Sequence, residues 1–380
     1  MASLLMDTSS ELVHALLPVF LTVTLGASVF MVGVIEGVAE ATASVVKVFS
    51  GLLSDRIGRR KPLVLLGYGL ATVTKPLFPL ASGLGMVVTA RFVDRVGKGI
   101  RGAPRDALIA DVTPAGQRGA AYGLRQGLDS VGAFVGPLLA LLLMILLAGD
   151  IRAVLWLAAV PAVLCVASIL LFVREPAAAV ATRSRGLGLK GAALRSLPRR
   201  FWIVVAFAGV LTLARFSEAF LVLRAQGVGV PATWVPLVMV VMNVVYAVGA
   251  APAGAAADRF SRRALLFLGL TPLLAADVAL AAASTPGLVF VGAGLWGLHM
   301  ALTQGLLSAL VADAAPEQLR GTAFGIFHLA SGLFLLLAST LAGLLWSVAG
   351  PGATFVAGAA FTGIAAIGLL LAPRRASVPP

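Results

Sequence analysis

Long apolar runs follow one another along the chain, separated by short polar or glycine-rich breaks. They fall near residues 4–25, 28–53, 62–82, 85–112, 117–147 and 152–173, then near 201–225, 231–257, 263–283, 286–313, 318–348 and 352–372. A helix needs roughly 20 mostly apolar residues to cross the hydrocarbon core of a bilayer, and each run meets that length. A transmembrane barrel would instead show alternating segments of roughly 10 residues, and the sequence lacks them. The pattern predicts an all-α polytopic membrane protein with twelve transmembrane helices.

The polar breaks fall into two kinds. SDRIGRRKP (54–62), ADRFSRRA (257–264) and the long segment 174–200 are strongly basic. LGAS, SGLG, GVGVP, STPG and GPG carry no charge, and AGDIR carries one of each sign. With twelve spans, every basic break lies on one side. Basic loops mark the cytoplasmic side, so both termini are expected in the cytoplasm. The predicted organisation is a bundle over 1–173, a cytoplasmic linker over 174–200 and a second bundle over 201–380.

The chain also repeats itself. GLLSDRIGRR at 51–60 returns as GAAADRFSRR at 254–263, and ALIADVTPAGQRGAAYGL at 107–124 returns as ALVADAAPEQLRGTAFGI at 309–326. The two halves therefore read as copies of one six-helix unit. This decides the status of the most charged run, RFVDRVGKGIRGAPRDALIAD (Arg91–Asp111). Its counterpart, AGLWGLHMALTQGLLSALVAD, is plainly a membrane helix, so the charged copy is expected to be one too.

Composition agrees. Only 12% of the 380 residues are charged and the mean hydropathy is +1.01, where a soluble domain carries about 25% charged residues. The net charge of +13 sits mostly in the basic breaks between the apolar runs, so nucleic acid is not an expected partner. Cys165 is the one cysteine, which excludes a disulfide framework and a thiolate metal site. MASLLMDTSSELVHALL lacks a basic n-region and carries Asp7 and Glu11; it reads as a first membrane helix, not a signal peptide.

Wound as a helix, Arg91, Asp94, Arg95, Lys98, Arg101 and Arg105 share an arc of about 120°. Each unpaired charge at mid-bilayer would cost roughly 2.5–3.5 kcal/mol or more. These groups must therefore face water or carboxylates, and other predicted helices supply both signs. Asp7, Glu11 and His14 share a face of the first; Glu36, Glu40 and Lys47 share a face of the second. Arg125 and Asp129 lie a turn apart on the fifth, and Arg215 and Glu218 lie together on the seventh. Glu11, His14, Glu40, Arg95, Lys98, Arg215, Glu218 and His299 fall near the middle of their spans, where repeat-built transporters place substrate and coupling ions. The second half offers milder groups: Asn243, Tyr246, Trp296, Thr303, Gln304 and His328. Helices 3, 6, 9 and 12, with only Lys75 and Asp277 as interior charges on the third and ninth, are expected as lipid-facing scaffold.

These residues resemble the major facilitator superfamily over essentially the whole chain. The family's hairpin signature G-x-L-[AS]-D-R-x-G-R-R is matched by Gly51, Asp55, Arg56, Gly58, Arg59 and Arg60. The resemblance implies a gating role for Asp55, Arg56 and Arg59, with Asp111 as partner, and a degenerate second copy in Asp258, Arg259, Arg262 and Asp313. Arg95 stands four residues before Gly99, as in the family's helix-4 motif, and inherits a link to proton coupling. Gly132, Gly136 and Pro137 match the first part of the helix-5 antiporter motif, but Leu138 follows where its closing glycines should approach.

A secondary transporter is therefore expected, moving a small-molecule substrate by proton-coupled antiport, with uptake by symport as the alternative. The proton-coupling candidates are Glu11, Glu36, Glu40, Arg95 and Glu218. The substrate-cavity candidates are His14, Arg91, Asp94, Lys98, Arg101, Arg125, Asp129, Arg215, Asn243, Tyr246, His299 and Gln304. A membrane-embedded enzyme would need a nucleophile–base set or a metal motif such as H-E-x-x-H, and none is present. No cofactor or metal is expected, a monomer should suffice, and a bacterial inner membrane is the expected location.

Overall fold

The computed structural model describes residues 1–57, 59–114, 117–173, 196–316 and 319–371. They form twelve membrane-length helices, with no strand among the described residues. The first six are α1 (Ala2–Val19, running on as a π-helical turn over Phe20–Thr24), α2 (Val29–Ile57), α3 (Lys61–Thr74 and Leu77–Leu80), α4 (Leu84–Val112), α5 (Arg118–Leu146) and α6 (Ile151–Leu157 and Ala159–Phe172). The second six are α7 (Arg199–Ala214 and Ala219–Gly227), α8 (Leu237–Arg259), α9 (Arg262–Ala281), α10 (Pro286–Ala314), α11 (Arg320–Ala349) and α12 (Pro351–Leu371). Eleven are long and apolar enough to cross a membrane; α4 is set apart from them by its charges and not by its 29-residue length.

Proline explains most interruptions. It has no N–H to give to the preceding turn. Pro76 ends the first part of α3, Pro161 stands behind the bend of α6, and Pro231 and Pro236 hold the chain in turns so that α8 starts at Leu237 and not near 231. The break in α7 over Arg215–Glu218 has no proline or glycine. There the backbone N–H of Ser217 donates instead to Ser339 Oγ of α11 at 3.1 Å.

Glycines set the close helix contacts that orient the charged side chains. On α4, a Cβ at Gly97 would meet the carbonyl oxygen of Gly67 on α3 at 2.6 Å, and one at Gly99 would meet Val46 Cβ on α2 at 2.6 Å. On α5, Gly132 and Gly136 repeat at the four-residue spacing of close helix pairs. They lie against α1, where a Cβ would be 2.9 Å from Asp7 Cβ and 2.7 Å from Glu11 Cβ. Large apolar side chains such as Phe172, Val248 and Leu371 point outward, as a lipid-facing perimeter requires.

All helix ends next to basic breaks lie at one end of the molecule, the basic face. The two bundles meet most closely in the half remote from it, along α2 and α11. A Cβ at Gly37 would stand 2.9 Å from Leu336 Cα, and one at Gly343 would stand 2.9 Å from Phe30 Cα; Gly33 abuts the carbonyl of Ser339. Thr22 Oγ1 at the end of α1 donates to Gln226 Oε1 of α7 at 3.4 Å. Asn243 Nδ2 of α8 donates to the Ala133 carbonyl of α5 at 2.9 Å.

Candidate functional site

Between the bundles lies a polar cavity of two adjoining lobes. The inner lobe has a volume of about 530 Å³ and is walled by α1, α2, α4, α7, α10 and α11. The outer lobe, about 490 Å³, extends toward the basic face past Asp7, Lys47, Arg101 and Arg105. Glu11, Glu40, Lys98, Glu218, Gln304 and His328 border both.

On the first-half wall the charges form two clusters. Glu36 Oε2 accepts from Arg91 Nη2 at 2.7 Å and lies 3.6 Å from His14 Nε2. His14 Nδ1 is 3.3 Å from Glu11 Oε2. Glu40 Oε1 is 3.0 Å from Arg95 Nη1 and 3.7 Å from Lys98 Nζ. Behind this wall, Lys75 Nζ donates to Asp94 Oδ1 at 3.0 Å and to Ser10 Oγ at 3.2 Å. Arg125 bridges Asp106 at 3.0 Å and Asp129 at 3.4 Å. The cost of charge on α4 is thus offset mostly by opposite charge on α2, α3 and α5.

The second-half wall is built differently. At the break in α7, Arg215 and Glu218 both face the inner lobe, and neither makes a side-chain hydrogen bond or ion pair among the described residues. An unbroken helix would bring residues three apart onto one face; the non-helical backbone at Arg215, with ψ near 68°, keeps these two from that arrangement. Across the cavity, Tyr246 OH donates to Gln304 Oε1 at 3.0 Å.

Most predicted cavity residues line it: His14, Lys98, Arg101, Asp129, Arg215, Asn243, Tyr246 and Gln304, together with the coupling candidates Glu11, Glu36, Glu40, Arg95 and Glu218. Four do not. Arg91 is 2% exposed and turned to Glu36, and Asp94 is turned to Lys75. Both lie within the charged arc of α4 but nearer the remote end of the helix than its cavity-lining residues Arg95, Lys98, Arg101 and Arg105, and at that depth the charges serve the contacts with α2 and α3. Arg125 stands behind Asp129. His299 is fully buried, its Nδ1 2.7 Å from the carbonyl of Gly269 on α9, so it braces α10 against α9. Lys75, expected on a scaffold helix, belongs to the charge network.

At the basic face, Arg60 Nε lies 2.6 Å from Asp111 Oδ2, joining the start of α3 to the end of α4. The resemblance pairs Asp111 with Asp55, Arg56 and Arg59; the described ion pair is instead with Arg60, the last residue of the same signature. Gly51 lies against Ala103 of α4. Arg59 precedes α3, and Asp313 lies in the last turn of α10. Gly58, the side chains of Asp55, Arg56, Asp258, Arg259 and Arg262, and residues 174–195 lie outside the described residues. Ser44, Thr212, Ser217, Met300, Phe327 and Ser331 also line the inner lobe. Nothing in their type singles out these small or apolar residues from the other serines and phenylalanines of the spans.

The arrangement can hold a polar solute in water-accessible space while shielding it from lipid. A family model described as Major Facilitator Superfamily matches residues 1–244 and 216–380. An MFS-type transporter of Methanocaldococcus jannaschii is 31% identical over 97% of this chain and 92% of its own length. The inner membrane transport protein YajR of Escherichia coli is 25% identical over 88% of this chain and 73% of its own. The multidrug resistance protein MdtH of Edwardsiella ictaluri is 29% identical over 38% and 35%. Among solved structures, the nucleoside transporter NupG superposes with a TM-score of 0.82 at 14% identity, covering 97% of both chains. A D-xylose–proton symporter superposes at 0.77 with 16% identity, over 97% of this chain and 95% of the other.

Proposed function

The chain belongs to the major facilitator superfamily of multi-pass membrane transporters, and we propose that it exchanges a small polar solute for protons by alternating access, in the direction of export. The observation that carries this reading is the charged cavity at the junction of two repeat-related bundles, with close helix contacts on its remote side. Taking the basic face as cytoplasmic, the lobes open inward and the α2–α11 seam forms the outer gate. The bundles 1–173 and 201–380 are the rocking bodies and 174–200 the link between them. The partial likeness to a multidrug resistance protein and the half-matched helix-5 motif favour export. The inner membrane of a bacterium, with a single chain as the working unit, is the setting we assign.

Glu218 is the proton carrier in this reading. Glu11, Glu36 and Glu40 each have a cationic or imidazole partner within 4 Å, whereas Glu218 faces the cavity without one. A carboxylate can bind and release a proton in each cycle only if no fixed cation claims its charge. Arg60 and Asp111 act in gating, holding the ends of α3 and α4 together at the basic face.

The test uses proteoliposomes with an entrapped pH-sensitive dye and an imposed pH gradient, presented with a metabolite extract and a drug panel. Solute-driven proton movement is expected in the wild type and lost in Glu218→Gln. Solute transport indifferent to the gradient in the wild type would refute the coupling. Full gradient dependence in Glu218→Gln would move the proton to Glu40 or Glu11.

A further inference from the structure

The inner lobe contains one unmatched charge of each sign, Arg215 and Glu218, three residues apart on the broken α7. Arg215 Nη1 is buried and has no acceptor, and Glu218 has no donor, among the described residues. The charged groups facing them from neighbouring helices are largely committed. Glu11 and His14 of α1 hold each other, Glu36 of α2 is held by Arg91, and Glu40 is held by Arg95 with Lys98 beyond it. From the second half, Gln304 already accepts from Tyr246, and His328 of α11 borders the same lobe with its ring against Phe324 and Phe327. The two groups on α7 are therefore left for something that enters the cavity.

We propose that the solute is a small zwitterion with a free amine and a free carboxylate close together, its carboxylate held by Arg215 and its ammonium by Glu218. A solute with a single charge would leave one of the two side chains desolvated and unpaired, and a lipophilic solute would leave both, which is costly in a closed cavity. The lining argues the same way, since among the described residues Phe216 and Phe327 are its only Phe, Tyr or Trp side chains. A volume of about 530 Å³ is within the range of small-molecule sites and suits an amino acid or a short peptide. This inference rests on the cavity being the transport site, and it supplies a coupling rule: the ammonium and the proton compete for Glu218, so each leaves when the other arrives.

The experiment is a thermal-stability titration of the purified full-length protein with free amino acids and dipeptides, each beside its N-acetyl and its methyl ester form. At least one free zwitterion should stabilise the protein, and both of its blocked forms should bind about thirtyfold more weakly or worse, the usual cost of truncating one partner of a buried charge pair. In Glu218→Gln the penalty for acetylation should vanish; in Arg215→Gln the penalty for esterification should vanish. If no zwitterion of the panel binds, or blocked forms bind as well as free ones, the proposal falls on the wild type alone, even if a variant fails to fold. Penalties unchanged in both variants would also overturn it. Lipophilic drugs driving proton flux in proteoliposomes while no zwitterion binds would remove this inference and leave proton-coupled transport standing. A zwitterion that binds as expected but crosses without regard to the pH gradient would do the reverse.

Discussion

Replacing Gly37 by valine should tip the protein toward the state open on the remote face. A Cβ at this position would sit 2.9 Å from Leu336 Cα and 3.0 Å from its carbonyl oxygen, where carbon atoms normally rest about 3.5–4.0 Å apart. The obstacle is backbone, so α2 and α11 must move apart by up to about 1 Å, the difference between those distances. Overpacking of this kind costs about 1–3 kcal/mol. The seam is made between the two bundles, so the cost falls on the state in which they close there and spares the state in which they part. That displaces the equilibrium by about 5- to 150-fold. The assay is distance measurement between spin labels in a background where Cys165, buried and free, is replaced by alanine. Labels at Ser82 and Ser284, both exposed at the remote face, should separate in the variant. Labels at Val112 and Phe260, exposed at the basic face, should approach. Gly69→Val, at a position with nothing within 4 Å, serves as control. If Gly37→Val lowers the melting temperature but leaves both distance distributions unchanged, the seam is ordinary packing and not a gate.

Other perturbations separate structural from functional charge. Glu36→Gln strands Arg91, 2% exposed, and should cost about 3–5 kcal/mol of stability; the pair Glu36→Leu with Arg91→Met should recover most of it in the same detergent melt. His299→Phe removes the contact to the Gly269 carbonyl and should lower stability by about 1–3 kcal/mol while solute-driven proton flux per folded molecule stays unchanged. Asp111→Asn weakens a partly exposed ion pair with Arg60, worth about 0.2–1 kcal/mol. It should slow transport a few-fold in proteoliposomes while ligand-induced stabilisation persists.

The sequence carried the architecture because its signals are redundant. Twelve apolar runs, one-sided basic loops and a repeated hairpin all point to the same fold, and the repeat identified α4 as a span where hydropathy alone would have missed it. The site was legible only by residue type. The arc on α4 announces a polar surface, but whether Arg91 faces water or Glu36 depends on where α2 lies. By type His299 is, like Glu11 and Glu218, a lone ionisable residue at mid-span; that it braces two helices depends on Gly269 of α9 leaving a carbonyl within its reach. The break in α7 has no proline or glycine to mark it. It is held by Ser339, more than a hundred residues away, and no local pattern could foretell it.

The ion pairs of α4 also bear on how the chain is made. Glu36 and Glu40 on α2 and Lys75 on α3 all precede their partners Arg91, Arg95 and Asp94 in the sequence. Both α2 and α3 are apolar enough to enter a bilayer unaided, whereas α4 is not among the helices that meet that standard. The order of the chain predicts that the receiving charges are already within the membrane when α4 leaves the ribosome. Its insertion is then expected to be a docking step and not a partitioning step. A nascent chain ending after α4 should integrate that segment when Glu36 and Glu40 are intact and leave it outside the lipid when both are alanine. The same side chains that wall the cavity of the finished protein would thus have served first as the anchor that admits its most polar helix.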